Sequence, residues 1–349
     1  MSVAPDDTLI DSYRTLQARK LVFLVLAALA LVGVAILDMA TGPAMLPLGD
    51  VWSVITRPSA HAGTVLYTIV MDIRLPMTLT AMTVGASLGL AGAEMQTILR
   101  NPLASPYTLG LSAAAGFGAS LAILTGLSLP FLPWLGVPVA AFCMALIAAL
   151  VVYAIGRSRG VTTDILVLTG IAMLFLFQSL QSLMQYLASP DVLQVIVFWL
   201  FGSLAKASWT TFWITATVYV AVVPLILRGA WRLTALSLGD QTAQSLGIKV
   251  GQVRLRMLIL ISVLTASAVS FTGTIGFVGL VAPHLARGLV GEDQRYLVPL
   301  SSVFGAFILG GASVLSKSIN PGAIIPIGIV TAVIGVPFLL LLIHRKKKV

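Results

Sequence analysis

The chain has 349 residues, of which 58% are hydrophobic and only 9% are charged. An average soluble domain carries about 25% charged residues, so this composition excludes the soluble globular and disordered classes. The formal net charge is +9, but the cations flank apolar runs, which predicts a membrane topology and no nucleic-acid binding. Cys143 is the single cysteine, so a disulfide framework is excluded.

The apolar runs repeat along the chain at lengths near the roughly 20 residues that a helix needs to cross a bilayer. They are too long for barrel strands and do not alternate with period two. The sequence therefore predicts an all-α integral membrane protein with about ten transmembrane helices. The predicted spans are 21–41, 77–98, 110–129, 134–156, 164–187, 209–228, 255–272, 275–290, 297–316 and 324–343.

The first apolar run is longer than the core of a signal peptide, which predicts that it is the first span and is not cleaved. Residues 1–20 form an N-terminal cytoplasmic segment, residues 21–343 a single transmembrane domain and residues 344–349 a basic cytoplasmic tail. The apolar piece from Val192 to Leu204 is too short to span, and we expect it at one surface.

Charge predicts the orientation. With ten spans both termini lie on the same side, and 17 of the 21 Lys and Arg residues then fall on that side. Cytoplasmic loops carry the excess of Lys and Arg, so both termini are expected in the cytoplasm. The four cations expected outside are Arg57, Arg74, Lys206 and Lys317.

The second predicted span combines small residues with one acid. Gly85, Gly89 and Gly92 lie on adjoining parts of one helical face, which predicts close helix packing. Glu94 lies at membrane depth, where an ionisable group is a functional hypothesis by default. It either binds a polar group on a neighbouring helix or stays protonated as a structural group, and a proton-coupling role is the functional alternative.

A polar stripe marks the fifth predicted span. Gln178, Gln181 and Gln185 recur at helical spacing. Lipid would leave their amides without hydrogen-bond partners, so the stripe should face protein or water.

The loop from Arg228 to Arg256 is a basic island between spans, with five Lys or Arg residues. It divides into two helix-sized pieces at Gly239, and Asp240 is expected to cap the second piece. Ala243 leaves room for close contact, and Gly247 is expected to end the helix in a left-handed conformation. Such a loop is suited to contact a partner on one side of the membrane.

Catalytic signatures are absent from the sequence. No GxxxxGK[ST] loop, HExxH pair or GxSxG elbow occurs, and the histidines His61, His284 and His344 are far apart. We therefore predict no catalytic residues, no metal site and no cofactor bound by this chain.

Five ordered motifs resemble the FecCD-type permeases, the membrane subunits of ABC importers for iron–siderophore complexes, haem and cobalamin. They cover most of the chain from about residue 70 to 343. They are GASLGLAGAEMQTILRNPLASPYTLGLSAAAG (85–116), FWLFGSL (198–204), SLGDQTAQSLGI (237–248), GTIGFVGLVAPHLARGLVG (273–291) and PIGIVTAVIGVPF (326–338).

The resemblance implies the type II ABC importer permease architecture typical of the cobalamin permease, in a bacterial inner membrane. Two permease subunits surround a central path, two ATPase subunits bind ATP and Mg in the cytoplasm, and a periplasmic or lipid-anchored binding protein docks outside. The coupling loop, residues 229–254, would dock into the ATPase. Its coupling residues would be Leu238, Gly239, Asp240, Ala243, Leu246 and Gly247.

The resemblance also suggests roles for other residues. Arg74 and Lys317 would meet acidic groups on the binding protein, although helix-end snorkelling is an alternative for both. Gln178, Gln181 and Gln185 would line the translocation path, unless they form interhelical hydrogen bonds. Thr162 and Thr163 match the position of the cytoplasmic gate, and helix N-capping is the simpler role for them.

The chain departs from the family pattern where charges are expected. Its Arg74-Leu75-Pro76-Met77 lacks the second arginine, and Ser105, Ser313 and Ile324 stand where acids are usual. These losses suggest one half of a heterodimer, with a homodimer as the alternative. The function expected is ATP-driven alternating access for a ferric siderophore. The alternatives are haem or cobalamin import, a proton-coupled secondary transporter that uses Glu94, and a non-transporting scaffold.

Overall fold

A computed structural model describes residues 7–319 and 323–346. This part of the chain forms sixteen α-helices and no β-strand. The helices are α1 (Asp7–Ala40), α2 (Leu48–Thr56), α3 (Pro58–His61), α4 (Val65–Tyr67), α5 (Leu75–Leu99), α6 (Leu111–Thr125), α7 (Gly136–Arg159), α8 (Thr163–Leu187), α9 (Pro190–Leu200), α10 (Trp209–Leu227), α11 (Ala230–Ser237), α12 (Asp240–Ser245), α13 (Val250–Thr272), α14 (Val278–Val290), α15 (Gln294–Ser318) and α16 (Ile327–Lys346). The all-α membrane architecture predicted from the sequence is confirmed.

Each of the ten predicted spans falls on one helix. Within the described residues, seven helical stretches are long and apolar enough to cross a membrane, and they include α1, α5, α7, α8, α10, α13 and α15. The other three predicted spans correspond to α6, α14 and α16, whose apolar parts are shorter. The piece predicted to lie at a surface is α9, an 11-residue helix. Part of the tail predicted at 344–349 and the first six residues lie outside the described residues.

The sequence analysis missed the structure between α1 and α5. Helices α2, α3 and α4 lead into a π-helix over Thr68–Arg74, which continues directly into α5. Pro76 explains the wider turn, because its ring would clash with the carbonyl four residues earlier and it has no N–H to donate. The Leu75 N–H accordingly bonds to the Val70 carbonyl, five residues back. None of these pieces is long enough to register as a span.

Helix α5 runs through the centre of the subunit, where it packs against α10, α13, α14 and α15. A Cβ added to Gly89 would lie 3.0 Å from the Gly305 Cα of α15, and one added to Gly92 would lie 2.7 Å from the Gly279 Cα of α14. Gly85 meets the same part of α15. The close packing predicted for these glycines is confirmed, and it requires their lack of a side chain.

The predicted span 275–290 begins three residues too early. Gly273 and Phe277 both have positive φ, of 73° and 67°, and the chain between them is not helical. The exposed backbone groups find partners nearby: Ser203 N–H bonds to the Thr272 carbonyl at 2.7 Å, and Ile327 N–H bonds to the Gly202 carbonyl at 3.0 Å. Irregular backbone at this depth is tolerated because protein groups satisfy it.

The helices run up and down between two ends of the molecule. The loop end carries residues 228–256, together with the end of α5 and the starts of α8 and α15. The opposite end carries the end of α1, helices α2 to α4, α9 and the start of α10, which is held to the π-helix by a 3.1 Å bond from Trp209 Nε1 to the Met71 carbonyl.

Candidate functional site

The connection between α10 and α13, at the loop end of the molecule, consists of α11, a sharp turn and α12. Gly239 makes the turn with φ 120° and ψ 155°, a conformation that residues with a side chain rarely adopt. Helix α12 ends at Ser245, and Gly247, two residues later, has φ 77°. The Gly247 N–H bonds to the Gln244 carbonyl and the Ile248 N–H to the Ala243 carbonyl, which is a Schellman motif. The left-handed helix stop predicted at Gly247 is confirmed.

Asp240 does not cap α12 as predicted. Gly239 occupies the N-cap position, and no side chain caps the helix there. The Asp240 carboxylate instead accepts two hydrogen bonds from Arg254, at 2.8 and 2.9 Å. The prediction was wrong because a buried guanidinium competes for the carboxylate, and its bidentate geometry outweighs a single backbone N–H.

Arg254 is the most densely bonded side chain of this site, and the sequence analysis gave it no role. It lies in the first turns of α13 and is 1% exposed. Besides Asp240, its guanidinium donates to the Ile98 carbonyl at 2.8 Å, the Val161 carbonyl at 3.0 Å and the Thr163 hydroxyl at 3.2 Å. All five N–H groups of the guanidinium are therefore used. The available signal was a cation one residue before a predicted span.

The six predicted coupling residues do not share one environment. Leu238 and Leu246 are 65% and 54% exposed, which is unusual for leucines on an ordered loop. Ala243 is fully buried in the apolar core of this chain, so the room it leaves serves the chain itself and no partner. Ala243 makes the close contact that was predicted, but with this chain's own core, and its role in coupling stays a prediction. Of the six, Leu238, Leu246 and Gly247 are exposed and accessible to a partner.

Thr162 and Thr163 begin α8 beside this loop. The Thr162 hydroxyl accepts a bond from the Ile165 N–H at 3.4 Å, so it caps the helix, which is the simpler of the two predicted roles. Thr163 is half-buried and accepts the bond from Arg254. The Arg254 side chain, which is bonded to Asp240 of the coupling loop, therefore also contacts the segment that holds the predicted gate threonines.

The three glutamines of α8 lie on one side of the helix but differ in environment. Gln178 is exposed at the subunit surface, and Gln185 is half-buried. Gln181 packs against α6. Its Oε1 lies 2.6 Å from the point that a Cβ would occupy if Gly116 carried a side chain. Gln181 therefore packs between helices, whereas Gln178 is available to a path or to a neighbouring subunit.

Arg74 is not available at the surface of the opposite end. It is 5% exposed, and its guanidinium donates to the Met39 carbonyl at 2.7 Å, the Ala40 carbonyl at 2.9 Å and the Ala44 carbonyl. The Met39 and Ala40 carbonyls lie in the last turn of α1 and the Ala44 carbonyl lies just beyond it, so Arg74 satisfies backbone groups that a helix C-terminus leaves open. The docking role predicted for Arg74 was wrong.

Lys317 is buried in the same region, at 4% exposure. Its Nζ bonds to the Asp38 carboxylate at 2.8 Å, and Thr78 donates to the other carboxylate oxygen at 2.5 Å. Asp38 is fully buried inside the predicted first span, where the sequence analysis overlooked it. The docking role predicted for Lys317 was wrong for the same reason: its charge is neutralised inside the subunit.

Glu94 is also fully buried. Among the described residues, no hydrogen-bond partner is found for either of its carboxylate oxygens. The nearby Gln96 accepts a 2.6 Å bond from Arg287, which in turn pairs with Glu292 at 2.8 Å. The expected polar partner of Glu94 on a neighbouring helix is thus not found, and the acid has no contact with water in the subunit.

A polytopic helical bundle with broken helices, buried charges and an ordered loop at one end is typical of membrane transport proteins. The chain belongs to the FecCD transport family, whose sequence profile matches residues 28–345. It is an ABC transporter permease.

Two relatives and one solved structure place the chain within this family. A Helicobacter pylori (strain 26695) protein, named provisionally as the permease of an iron chelatin transport system, is 39% identical over 80% of this chain and 84% of its own length. The cobalamin import system permease protein BtuC of Halobacterium salinarum is 38% identical over 80% of this chain and 74% of its own length. A solved structure, described provisionally as a metal-chelate type ABC transporter in an inward-facing conformation, is 31% identical. It has a TM-score of 0.80 and covers 92% of this chain and 98% of that one.

Proposed function

We propose that this chain is the permease subunit of a binding-protein-dependent ABC importer that moves ferric-siderophore complexes across a bacterial inner membrane by ATP-driven alternating access. The observation that carries the proposal is the ordered loop of α11 and α12, which presents Leu238 and Leu246 to the outside of the subunit. An exposed apolar pair held on two short helices is suited to a partner's cleft. Two ATPase subunits, which bind ATP and Mg, are the partners expected there.

The orientation follows from charge. The loop end carries most of the cations, which favours the cytoplasm for that end and for both termini. A periplasmic or lipid-anchored binding protein would then dock at the opposite end. Of the four cations predicted there, Arg57 and Lys206 are exposed, and they replace the buried Arg74 and Lys317 as candidates to meet acidic groups.

A second permease subunit would cover α8. This helix exposes Leu168 and Phe175, 70% and 63% accessible, together with the polar Gln178 and Ser182. Lipid would leave the exposed amide without a partner, so a water-filled path or a second subunit is the better environment. Gln178 is the member of the predicted stripe best placed to line that path, and Thr162 and Thr163 would close it at the cytoplasmic side.

The cargo is proposed as a ferric siderophore because relatives named for iron chelates occur among the matches. Cobalamin and haem are the alternatives, and the cobalamin relative is nearly as similar. Uptake by the reconstituted importer distinguishes them: radioactive iron delivered as a siderophore should accumulate, and an equal concentration of unlabelled haem or cobalamin should not compete. Competition by either would reassign the cargo.

A proton-coupled carrier is the weaker candidate. Such a carrier needs an acid that meets water on each side in turn, and Glu94 is fully buried. We expect Glu94→Gln to leave uptake within about twofold of the parent, because the amide replaces a carboxyl group that makes no hydrogen bond.

The test of the ATPase-docking surface compares two leucines of equal exposure. The tagged chain is purified from its native membranes, and the proteins that accompany it are identified by mass spectrometry. Leu246→Glu should lower the recovered ATPase about tenfold or more, since it places a charge in an apolar contact. Leu103→Glu is the matched control, because Leu103 is 55% exposed and lies outside the loop. Recovery of no ATPase with the parent chain would overturn the proposal.

A further inference from the structure

We infer that Arg254 is the positioning residue that makes coupling helix α12 and the start of α8 move as one body. The inference rests on the proposed function, since it supplies the step between ATPase docking and opening of the path. It assigns a role to a pair, Asp240 and Arg254, whose side chains connect segments that are far apart in sequence.

The geometry shows why these segments are joined. Asp240 lies in the first turn of α12, and the guanidinium of Arg254 donates a hydrogen bond to each of its two carboxylate oxygens. The same guanidinium holds the Val161 carbonyl and the Thr163 hydroxyl at the start of α8. A displacement of α12 therefore reaches α8 through a single planar group.

The remaining bond fixes the group to the centre of the subunit. Arg254 Nε donates to the Ile98 carbonyl in the last turn of α5, the helix around which the others pack. The central helix thus provides a fixed point on which the guanidinium is held. Its other four bonds link the coupling helix to α8.

Burial makes this link stiff. Arg254 is 1% exposed, so each of its donors that lost its acceptor would be left without water to replace it. The side chain of Asp240 is 37% exposed, so in this ion pair the arginine is buried and the aspartate lies near the surface. Separating α12 from α8 is therefore costly, whereas moving them together keeps the four bonds that join them.

Only arginine fits this position. Lysine carries its three donors on one nitrogen and lacks the planar fork that grips a carboxylate at two points. Arg254→Lys can keep the charge and some bonds but cannot reach all the acceptors around the guanidinium. The variant therefore separates the geometry of the link from its charge.

The primary experiment measures uptake and ATP hydrolysis together. The chain is reconstituted in liposomes with its ATPase and binding protein, and the ratio of cargo imported to ATP hydrolysed is determined. We expect Asp240→Asn and Arg254→Lys to lower this ratio at least severalfold while ATP hydrolysis continues, because docking of the ATPase would no longer move α8 together with α12. Arg256→Lys is the matched control: Arg256 lies on the same helix two residues later, is exposed, and should leave the ratio unchanged.

A distance measurement separates a coupling role from a merely structural one. With Cys143 replaced by serine, spin labels are attached at Gln241→Cys on α12 and Asp164→Cys on α8, two exposed positions. In the otherwise unchanged chain the distance distribution should stay narrow with and without ATP. Adding Asp240→Asn should broaden it in the ATP-bound state, as expected if the two helices then move independently.

The outcomes separate the two proposals. If the parent importer couples ATP hydrolysis to uptake and Asp240→Asn leaves both the ratio and the distance distribution unchanged, the inference about Arg254 is wrong and the proposed function stands. If the parent neither binds an ATPase nor imports cargo with ATP, the proposed function itself fails. A variant that unfolds is replaced by Asp240→Glu, which retains the charge and shifts the carboxylate. Unchanged coupling in that folded variant counts against the inference.

Discussion

The buried pair of Lys317 and Asp38 gives the sharpest test of the structure. Lys317→Met removes the ammonium group, and among the described residues the Thr78 hydroxyl is then the one side-chain donor hydrogen-bonded to the Asp38 carboxylate. The two side chains of the pair are 2% and 0% exposed, so no water replaces the lost partner. We expect the single variant to be strongly destabilised, because the buried carboxylate would lose the cation that is hydrogen-bonded to it. Arg74 lies nearby, but its guanidinium donates to the carbonyls of Met39, Ala40 and Ala44.

The magnitude follows from the burial. Breaking a buried ion pair by removing one partner costs about 3–5 kcal/mol. Replacing both members with apolar residues, as in Lys317→Met combined with Asp38→Leu, removes the stranded charge, and the hydroxyl of Thr78 then lacks its acceptor at a cost of about 1 kcal/mol. The double variant should therefore be more stable than the single one by about 2–4 kcal/mol.

The assay is reversible unfolding of the purified chain in mixed micelles, with the free energy of unfolding measured for the parent, both single variants and the double variant. High salt should not change the result, since buried pairs are screened much less than exposed ones. Strictly additive single and double effects, or a loss below about 1 kcal/mol for Lys317→Met, the range of exposed pairs, would refute the burial argument.

The same double variant tests the correction to the docking surface. Because the pair lies inside the subunit, the folded double variant should bind the binding protein with the parent's affinity. If the double variant is as stable as the parent but binds the binding protein more weakly, the docking role of Lys317 is supported and the correction is wrong.

Two further predictions concern packing and pH. Gly92→Ala places a Cβ 2.7 Å from a backbone Cα of α14, so it should destabilise the chain by about 1–3 kcal/mol or more in the same unfolding assay. Gly311→Ala, which meets nothing within 4 Å inside α15, should not destabilise the chain, because alanine favours a helix interior over glycine by roughly 0.5–1 kcal/mol. The hydrogen bond from Arg295 holds the pKa of Asp293 below its usual value. A depressed carboxyl pKa contributes stability above the unfolded pKa and loses it as pH falls. Asp293→Ala, which removes the N-cap of α15, should therefore cost about 1 kcal/mol at pH 7. The difference from the parent should shrink below about pH 4, and a constant difference across that range would contradict the assignment.

Local sequence features were sufficient for much of the fold. The apolar runs gave every long helix, because a span is defined by its own length and composition. Gly247 was correctly assigned as a helix stop, since a left-handed residue depends on its own backbone freedom. The packing face of Gly85, Gly89 and Gly92 was also predicted, because helical spacing puts small residues side by side.

The errors about charged residues share one cause: the group that a charged side chain binds can lie far from it in the sequence. The family resemblance assigned Arg74 and Lys317 to the surface, and nothing near them in the sequence indicated a buried partner. Their partners on α1 are 35 and 279 residues away in sequence. Asp240 was assigned to a local cap for the same reason, although a residue 14 positions later takes its carboxylate.

The sequence by itself therefore determined the class of protein, the number and course of its long helices and the two glycine turns of the coupling loop. These features depend on transfer to lipid and on local backbone freedom, which neighbouring residues decide. Only the tertiary structure decided which charges are buried and what they bind. Arg254 reaches a carbonyl 156 residues away because α5 and α13 pack together. Desolvation at such a contact, and not local propensity, selects the bonds that join the coupling loop to the rest of the subunit.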